Sequence, residues 1–386
     1  MKEGINVFNT VEKNNLKPIW VLHTCNRLSI GGVQSFLMNF YKAIDRRRVQ
    51  FAFAVQRETE LPYDKEILSL GGRIHYLPRI EDGAIKYMKS LRLVIKNHPE
   101  YKIVHSHMNQ RNALALLVAK QMNVPIRISH AHNISSCYTI LSKIRYQIFK
   151  KIIAYTANNF WTCSYAANEC VHFPNKHEII IHNAIDIKRF IFNSEIRHEI
   201  REIYDIKEDD VVIGHIGNFS PQKNTSYLLS IIDKLPSNYK LLLVGEGKEK
   251  LSLENSELVN KNIKRIIFTG SADSSKMFQA MDIFVFPSLF EGLGMVAIEA
   301  IASGLPVIAS KGVPNDIDIS EYVCHLSIEA CDIPLWVNKI LSFGKIKRQN
   351  NFECLKLAGY NIYDEAEHLL SMYEELMNTK EVKYGF

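Results

Sequence analysis

The sequence predicts an α/β protein of two doubly wound, Rossmann-like domains with a ligand cleft between them. Three observations lead there. Short β-branched runs alternate with helix-period segments, the alternation starts afresh at Val211, and the runs are mostly apolar, as expected of parallel strands covered on both faces. At 386 residues, 47% apolar and 23% charged, the chain has the length of two or three domains and an ordinary globular composition. Disordered, collagen-like and coiled-coil classes are thereby excluded.

In the first half the expected strands are Ile19–Thr24, Val49–Val55, Arg73–Leu77, Lys102–His107, Ile126–Ser129, Asn159–Ser164 and Glu178–His182. Between the first two, Val33, Phe36, Leu37, Phe40 and Ile44 line one face of a helix. In the second half the expected strands are Val211–Ile216, Lys240–Val244, Arg265–Phe268, Ile283–Phe286 and Pro306–Ala309. Helices are expected at Thr225–Leu235, Ser274–Met281 and Val296–Ser303. Asp186 to Asp210 is charged and reads as a linker. In Tyr360 to Met377, Ala366, Leu369, Leu370, Tyr373, Leu376 and Met377 recur at helical spacing, giving a terminal docking helix. The predicted division is 1–190, 191–360 and a terminal helix over 361–386 that docks back on the first domain.

No apolar run reaches the ~18 residues of a membrane span, and Met1 to Lys17 is polar, unlike a signal peptide. A cytoplasmic protein is expected. The seven cysteines (Cys25, Cys137, Cys163, Cys170, Cys324, Cys331, Cys354) form no CxxC pair and read as buried free thiols. Residues 1–190 carry 27 Lys and Arg against 13 Asp and Glu, net +14; the remainder carries 20 against 28, net −8. A basic first half suits an anionic ligand or membrane surface. Nucleic acid is not expected, because no RNP-type aromatic pattern or zinc-finger spacing accompanies the charge.

The densest chemistry lies in Asp282 to Ser310, "DIFVFPSLFEGLGMVAIEAIASGLPVIAS". A buried strand ends at Pro287, and a loop with Gly292 and Gly294 opens an Ala-rich helix whose N-terminus can receive an anion. Glu291 and Glu299 flank that entry with seven residues between them. A second strand end, "IGHIGNFSPQKN", brings Lys223 to the start of a helix, where an ammonium suits a diphosphate. Gly31 and Gly32 precede the first helix in a phosphate-compatible turn without the dinucleotide fingerprint. Ten of fourteen histidines fall in the first half, among them His105 and His107 in "VHSHM" and His130 and His132 in "ISHAHN". No carboxylate or cysteine joins these pairs in sequence, so no metal site is expected. Asp316-Ile317-Asp318 reads as a chance DxD, and Gly245-Glu246-Gly247 as a turn that either borders a nucleotide base or does nothing more.

With these motifs the chain resembles the family-4 glycosyltransferases of the GT-B fold, whose signature is a Glu, seven residues, then a second Glu. The wording "GGVQSF" and "FSPQKN" is most similar to bacterial capsule or exopolysaccharide enzymes. The resemblance implies a retaining, metal-independent transferase that uses a nucleotide-diphospho sugar, a UDP-sugar above all, and no cofactor. It implies a glycan or polyprenyl-phosphate-linked acceptor held by the first domain. It assigns Glu291 to donor-sugar hydroxyls, Glu299 to the ribose, and the Gly292, Leu293 and Gly294 amides to the diphosphate. Lys223 would neutralise the leaving group, His132 (His130 as second choice) would contact the donor sugar, His107 would line the cleft, and Gly31 and Gly32 would face the diphosphate and acceptor. Where the family carries an arginine beside the diphosphate this chain has Asn218. A sugar-nucleotide epimerase and a non-catalytic sugar-nucleotide binder are the alternative readings.

One segment bears on membranes. In Ser142 to Tyr155, Ile144, Ile148, Ile152 and Tyr155 would share a helical stripe flanked by Lys143, Arg145, Lys150 and Lys151. It is either a core-facing helix with a solvated basic edge or a dock on anionic lipid, on the inner face of the plasma membrane.

Overall fold

The computed structural model describes residues 17–26, 32–57, 62–132, 139–163, 165–173 and 177–384. The first sheet contains β1 (Ile19–Cys25), β2 (Val49–Gln56), β3 (Arg73–Leu77), β4 (Ile103–Ser106), β5 (Ile126–Ala131), β6 (Asn159–Thr162) and β7 (Glu178–Ile180). Its order is β3-β2-β1-β4-β5-β6-β7, all parallel. The second sheet contains β8 (Val211–Ile216), β9 (Tyr239–Val244), β10 (Ile266–Gly270), β11 (Ile283–Phe286), β12 (Val307–Ser310) and β13 (Val323–Leu326). Its order, β10-β9-β8-β11-β12-β13, is again parallel throughout. β4, β11 and β12 are buried at every residue, as strands covered on both faces are, and none alternates apolar with polar residues. β13 escaped the sequence reading. It is a four-residue edge strand, VCHL, half-buried at each position and polar at one, too short and mixed to carry a period.

Both sheets reverse winding direction once, between β1 and β4 and between β8 and β11. The crevice outside the carboxyl ends at such a reversal is where open α/β sheets bind ligands. The fold thus nominates two places, one per domain, on topology alone.

The expected linker at Asp186 to Asp210 is corrected. It contains a 3-10 turn (Ile187–Phe190) and a helix (Ser194–Ile203), and Ile187, Phe190, Ile200 and Ile206 are core residues of the second domain. Most of its charges are exposed, but two arginines turn inward. Arg197 and Arg201 both bind Asp282 at 2.7 Å, and Arg201 also donates to the Ala280, Lys207 and Asp210 carbonyls. The chain enters the second core at Ile185, ahead of the boundary expected after residue 190.

The terminal helix (Ile362–Tyr384) returns to the first domain. Ala366, Leu369, Leu370 and Tyr373 join Phe36, Leu37, Tyr41 and Phe51 in one apolar cluster. At the crossing, Ile185 and Asn361 form a parallel bridge, with Ile185 N donating to Tyr360 O and Ile362 N to Ile185 O, both at 3.0 Å. The chain therefore passes between domains twice at one point. The cysteines divide: Cys25 and Cys163 are buried as expected, whereas Cys331 and Cys354 are exposed, and Cys137 lies outside the described residues. No helix among the described residues is long and apolar enough to cross a membrane.

Candidate functional site

In the second domain the loops that leave β8 and β11 meet at the winding reversal. β8 ends at Ile216, and the following Gly217–Phe219 segment is fastened to the loop after β9. Gly217 N donates to Val244 O at 3.0 Å and Phe219 N to Glu246 O at 2.9 Å. Gly245, at φ +140°, has no room for a side chain, since a Cβ there would lie 1.9 Å from Gly217 O. Gly245-Glu246-Gly247 thus serves as the buttress of the β8 loop. A 3-10 turn (Pro221–Lys223) then aims Lys223 across at the β11 loop.

That second loop is tied to the first and to the loop after β12. Leu289 N donates to Gln222 O at 2.8 Å, Gln222 Nε2 to Phe290 O at 2.9 Å, and Glu291 N to Gly312 O at 3.0 Å. These bonds hold Glu291 where Lys223 Nζ reaches its Oε1 at 2.6 Å, both side chains largely buried. Lys223 also lies over the Phe286 ring, 4.9 Å from its centroid. Gly294, at φ +81°, caps the helix Met295–Ala302 in the left-handed region that a larger residue resists. Leu293 turns its side chain into the core, leaving its backbone for any ligand. Gly292 is half-buried between the two.

Glu299 lies one and a half turns along that helix, half-buried. Burial pushes its carboxyl up to about 7, although the Ser274 hydroxyl and the Arg189 guanidinium pull it back. Arg189 is held by Asp273 at 2.8 Å and its Nε by Ser275 Oγ at 3.3 Å. Arg189 stood unnoticed in the supposed linker. His215, at the end of β8, is buried, with Nδ1 on Val285 O at 3.0 Å and Nε2 unpartnered; burial lowers it to about 4. Asn218 is exposed at the loop tip. Asp318 of the DxD pattern binds His325 at 2.8 Å on the loop side of β12 and β13.

In the first domain the winding reversal holds histidines. His23 on β1 pairs in register with His105 on β4, and alternation puts His107 on the same face; His130 and His132 follow from β5. All five are at most 5% exposed. His23 Nδ1 meets His107 Nε2 at 2.9 Å, and His107 Nδ1 meets His132 Nε2 at 2.8 Å. His105 Nε2 meets His130 Nδ1 at 3.0 Å and its Nδ1 meets Tyr373 Oη at 2.7 Å. Burial drives all five well below the ordinary imidazole range, His23 and His132 to about 3, so they are neutral. Sequence reasoning took the HxH pairs separately and passed over His23. The signal was present in "VLHTCN", a histidine near the end of the strand that a doubly wound order sets beside the next HxH. Gly32 begins the first helix in open space, where a Cβ would meet nothing within 4 Å, and Gly31 lies outside the described residues.

The basic helix is Ile140–Thr156. Its apolar stripe is not core-facing. Ile140, Leu141, Ile144, Ile148 and Tyr155 are exposed, Leu141 at 80% and Tyr155 at 71%. Lys143, Arg145 and Lys151 are exposed beside them. Lys150 is the exception, turned inward with Nζ on Glu169 O at 2.8 Å, and Ile152 packs partly against the core.

Comparison with known proteins agrees with this architecture. Residues 30–189 match Glycosyltransferase Family 4, and residues 196–352 match the glycosyl transferases group 1 family. A Bacillus subtilis relative, the putative glycosyltransferase EpsF, is 29% identical over 368 residues, 92% of this chain and 96% of its own. An Escherichia coli UDP-Gal:alpha-D-GlcNAc-diphosphoundecaprenol alpha-1,3-galactosyltransferase is 25% identical, covering 77% of this chain and 81% of its own. Among solved structures, Anabaena HepE in complex with UDP superposes with a TM-score of 0.77 at 16% identity, covering 93% of this chain and all of that one. Two parallel sheets, each with its loops gathered at a winding reversal, and a family match over either half lead to one conclusion: the chain belongs to the glycosyltransferases of the GT-B fold.

Proposed function

We propose that this glycosyltransferase is a retaining enzyme that moves a sugar from a UDP-sugar to a glycan or polyprenyl-phosphate-linked acceptor in bacterial surface polysaccharide synthesis. The observation that carries the donor half is the Lys223–Glu291 contact at 2.6 Å beside the Gly292–Gly294 loop. Lys223 neutralises the leaving diphosphate, and the backbone amides of Gly292, Leu293 and Gly294 receive its oxygens at the helix entry. With that charge answered by an ammonium and amides, the transfer needs no metal at the diphosphate and no cofactor. Glu291 accepts from donor-sugar hydroxyls, and Glu299 from the ribose. His132 offers Nδ1, the nitrogen not engaged by His107, to the donor sugar, with His130 behind it. The UDP in the HepE complex and the UDP-sugar donor in the name of the E. coli relative support this choice of nucleotide. The incoming acceptor hydroxyl attacks on the face the diphosphate leaves, so no covalent nucleophile is assigned. Gly32 and Asn218 border the diphosphate and the acceptor approach.

The acceptor half rests on the exposed stripe of Ile140–Thr156 and its Lys143, Arg145 and Lys151 flank. Such a face seats on anionic lipid, placing the protein at the inner leaflet where a lipid-linked acceptor is presented. The diphosphoundecaprenol acceptor in the name of the E. coli relative is of this class. Incubation with labelled UDP-sugars, with and without a polyprenyl-diphosphate-linked sugar, tests the reading. Acceptor-dependent transfer with retained anomeric configuration is expected. Acceptor-free isomerisation would mark an epimerase, and binding alone would mark a non-catalytic protein.

A further inference from the structure

The five buried imidazoles at the β1–β4 reversal cannot satisfy one another. A neutral imidazole carries one N–H and one lone pair. In the row His23, His107, His132, two hydrogen bonds use two of each, so one N–H and one lone pair are left at the ends. Among the described residues, the row's outer nitrogens, His23 Nε2 and His132 Nδ1, have no partner, and neither does His130 Nε2. Buried polar groups without partners are costly, and of these three nitrogens an ion among the histidines can engage His130 Nε2.

We propose that His107, His130 and His132 form a binding site for a divalent ion of the zinc class. One nitrogen from each residue can be chosen so that all three lie within 4.8 Å of one another. His107 Nδ1 and His132 Nε2 face each other at 2.8 Å across a hydrogen bond that the ion would replace. Ligands on a tetrahedral zinc at about 2.0–2.1 Å sit about 3.3 Å from each other, so the pair has only to open by about half an ångström. The donor set is all imidazole, which suits Zn²⁺, Co²⁺, Ni²⁺ or Cu²⁺ and not Mg²⁺ or Ca²⁺. Phe36 walls the group, its ring edge-on to His130 at 5.2 Å and His132 at 5.0 Å. Outside the trio, His23 at 2.9 Å fixes the ring of His107 from its other nitrogen, as ligand histidines are commonly held. With an ion on Nε2, His132 is held as the Nδ1–H tautomer, a donor on the nitrogen that has no protein partner. The inference concerns the first domain alone and does not rest on the donor reading above.

The test is metal binding by the full chain without a histidine tag, stripped by a chelator and titrated with Co²⁺ and then Zn²⁺. Expected are one Co²⁺ per chain, a visible absorption band of tetrahedral intensity that Zn²⁺ abolishes, and a melting temperature raised by either ion. His107→Gln should weaken binding by about 100-fold or more and remove the band. His75→Gln, at a half-buried histidine that packs against His98, should leave both unchanged. If His107→Gln fails to fold, His130→Gln takes its place with the same expectation. Wild-type protein that binds no stoichiometric Co²⁺, or a trio variant that binds as wild type does, overturns the site and leaves a hydrogen-bonded imidazole chain. Because the readout is binding and not turnover, a failed transferase assay bears on the donor reading only.

Discussion

Glu299 is the residue at which the donor site and the stability of the second domain oppose each other. Its carboxyl is raised from 4.5 to about 7 by burial, with Ser274 and Arg189 offsetting part of the cost. The folded protein therefore keeps a proton that the unfolded chain releases between those two values. Stability falls as pH rises through that window, and above pH 7 the whole cost is present. At about 1.4 kcal/mol per pH unit, the interval from 4.5 to about 7 corresponds to about 3 kcal/mol. Glu299→Gln keeps the shape and a hydrogen-bonding oxygen but removes the charge. The variant should be about 3 kcal/mol more stable than wild type at pH 8, and within about 1 kcal/mol of it at pH 5. Urea unfolding of both proteins at the two pH values, followed through the second domain's transition, measures the gap. The same substitution should weaken UDP binding at pH 8, because an amide accepts from the ribose hydroxyls more weakly than a carboxylate. A gap that does not grow between pH 5 and pH 8 refutes the burial argument. Unchanged UDP affinity refutes the ribose role.

Four further outcomes follow from the same geometry. Lys223→Met and Glu291→Gln should each lower turnover by about 10²–10³ while the protein stays folded, and the double variant should lose little more, because the two act as a unit; steady-state rates decide it, and near-wild-type turnover in either single variant removes that residue from the site. Asn218→Arg, at the exposed tip of the β8 loop, should tighten UDP binding by calorimetry; unchanged affinity and rate would mean the position does not face the diphosphate. Wild-type protein should sediment with anionic vesicles at low salt and be released at high salt. Neutralising Lys143, Arg145 and Lys151 should weaken that binding, whereas Lys150, turned toward Glu169 O, should matter less, and a wild type that ignores anionic vesicles at low salt refutes the dock. Finally, Leu370→Ala should cost about 2–5 kcal/mol, because this fully buried side chain leaves a cavity among Phe36, Tyr41 and Phe51. The loss should appear in the first domain's thermal transition, although the residue lies near the chain's far end.

Much was legible in the chain itself. β8 and β11 run where their apolar runs say they should, because a strand buried on both faces can tolerate little else. Lys223, Glu291 and Gly294 could be nominated from spacing, since each sits within a few residues of a strand end, and in this fold strand ends are where ligand loops begin. The terminal helix declared itself by the period of Ala366, Leu369, Leu370 and Tyr373.

What the sequence could not settle depends on neighbours distant in the chain. Arg197 and Arg201 lie in a charged segment that reads as a linker, and only the position of Asp282, more than eighty residues on, shows that they are paired and turned inward. The stripe of Ile144, Ile148 and Tyr155 has the same spacing whether it faces a core or solvent, and only the packing of the first domain leaves it uncovered. The histidines make the point most plainly. His23, His105, His107, His130 and His132 come from three strands spread over more than a hundred residues, and each alone is an ordinary polar residue near a strand end. Strand order puts β1, β4 and β5 side by side, in-register pairing aligns their side chains on one face, and burial strips them of water. Composition and periodicity are local and determine the elements; which charges meet, and which polar atoms are left without a partner, is decided when those elements are packed.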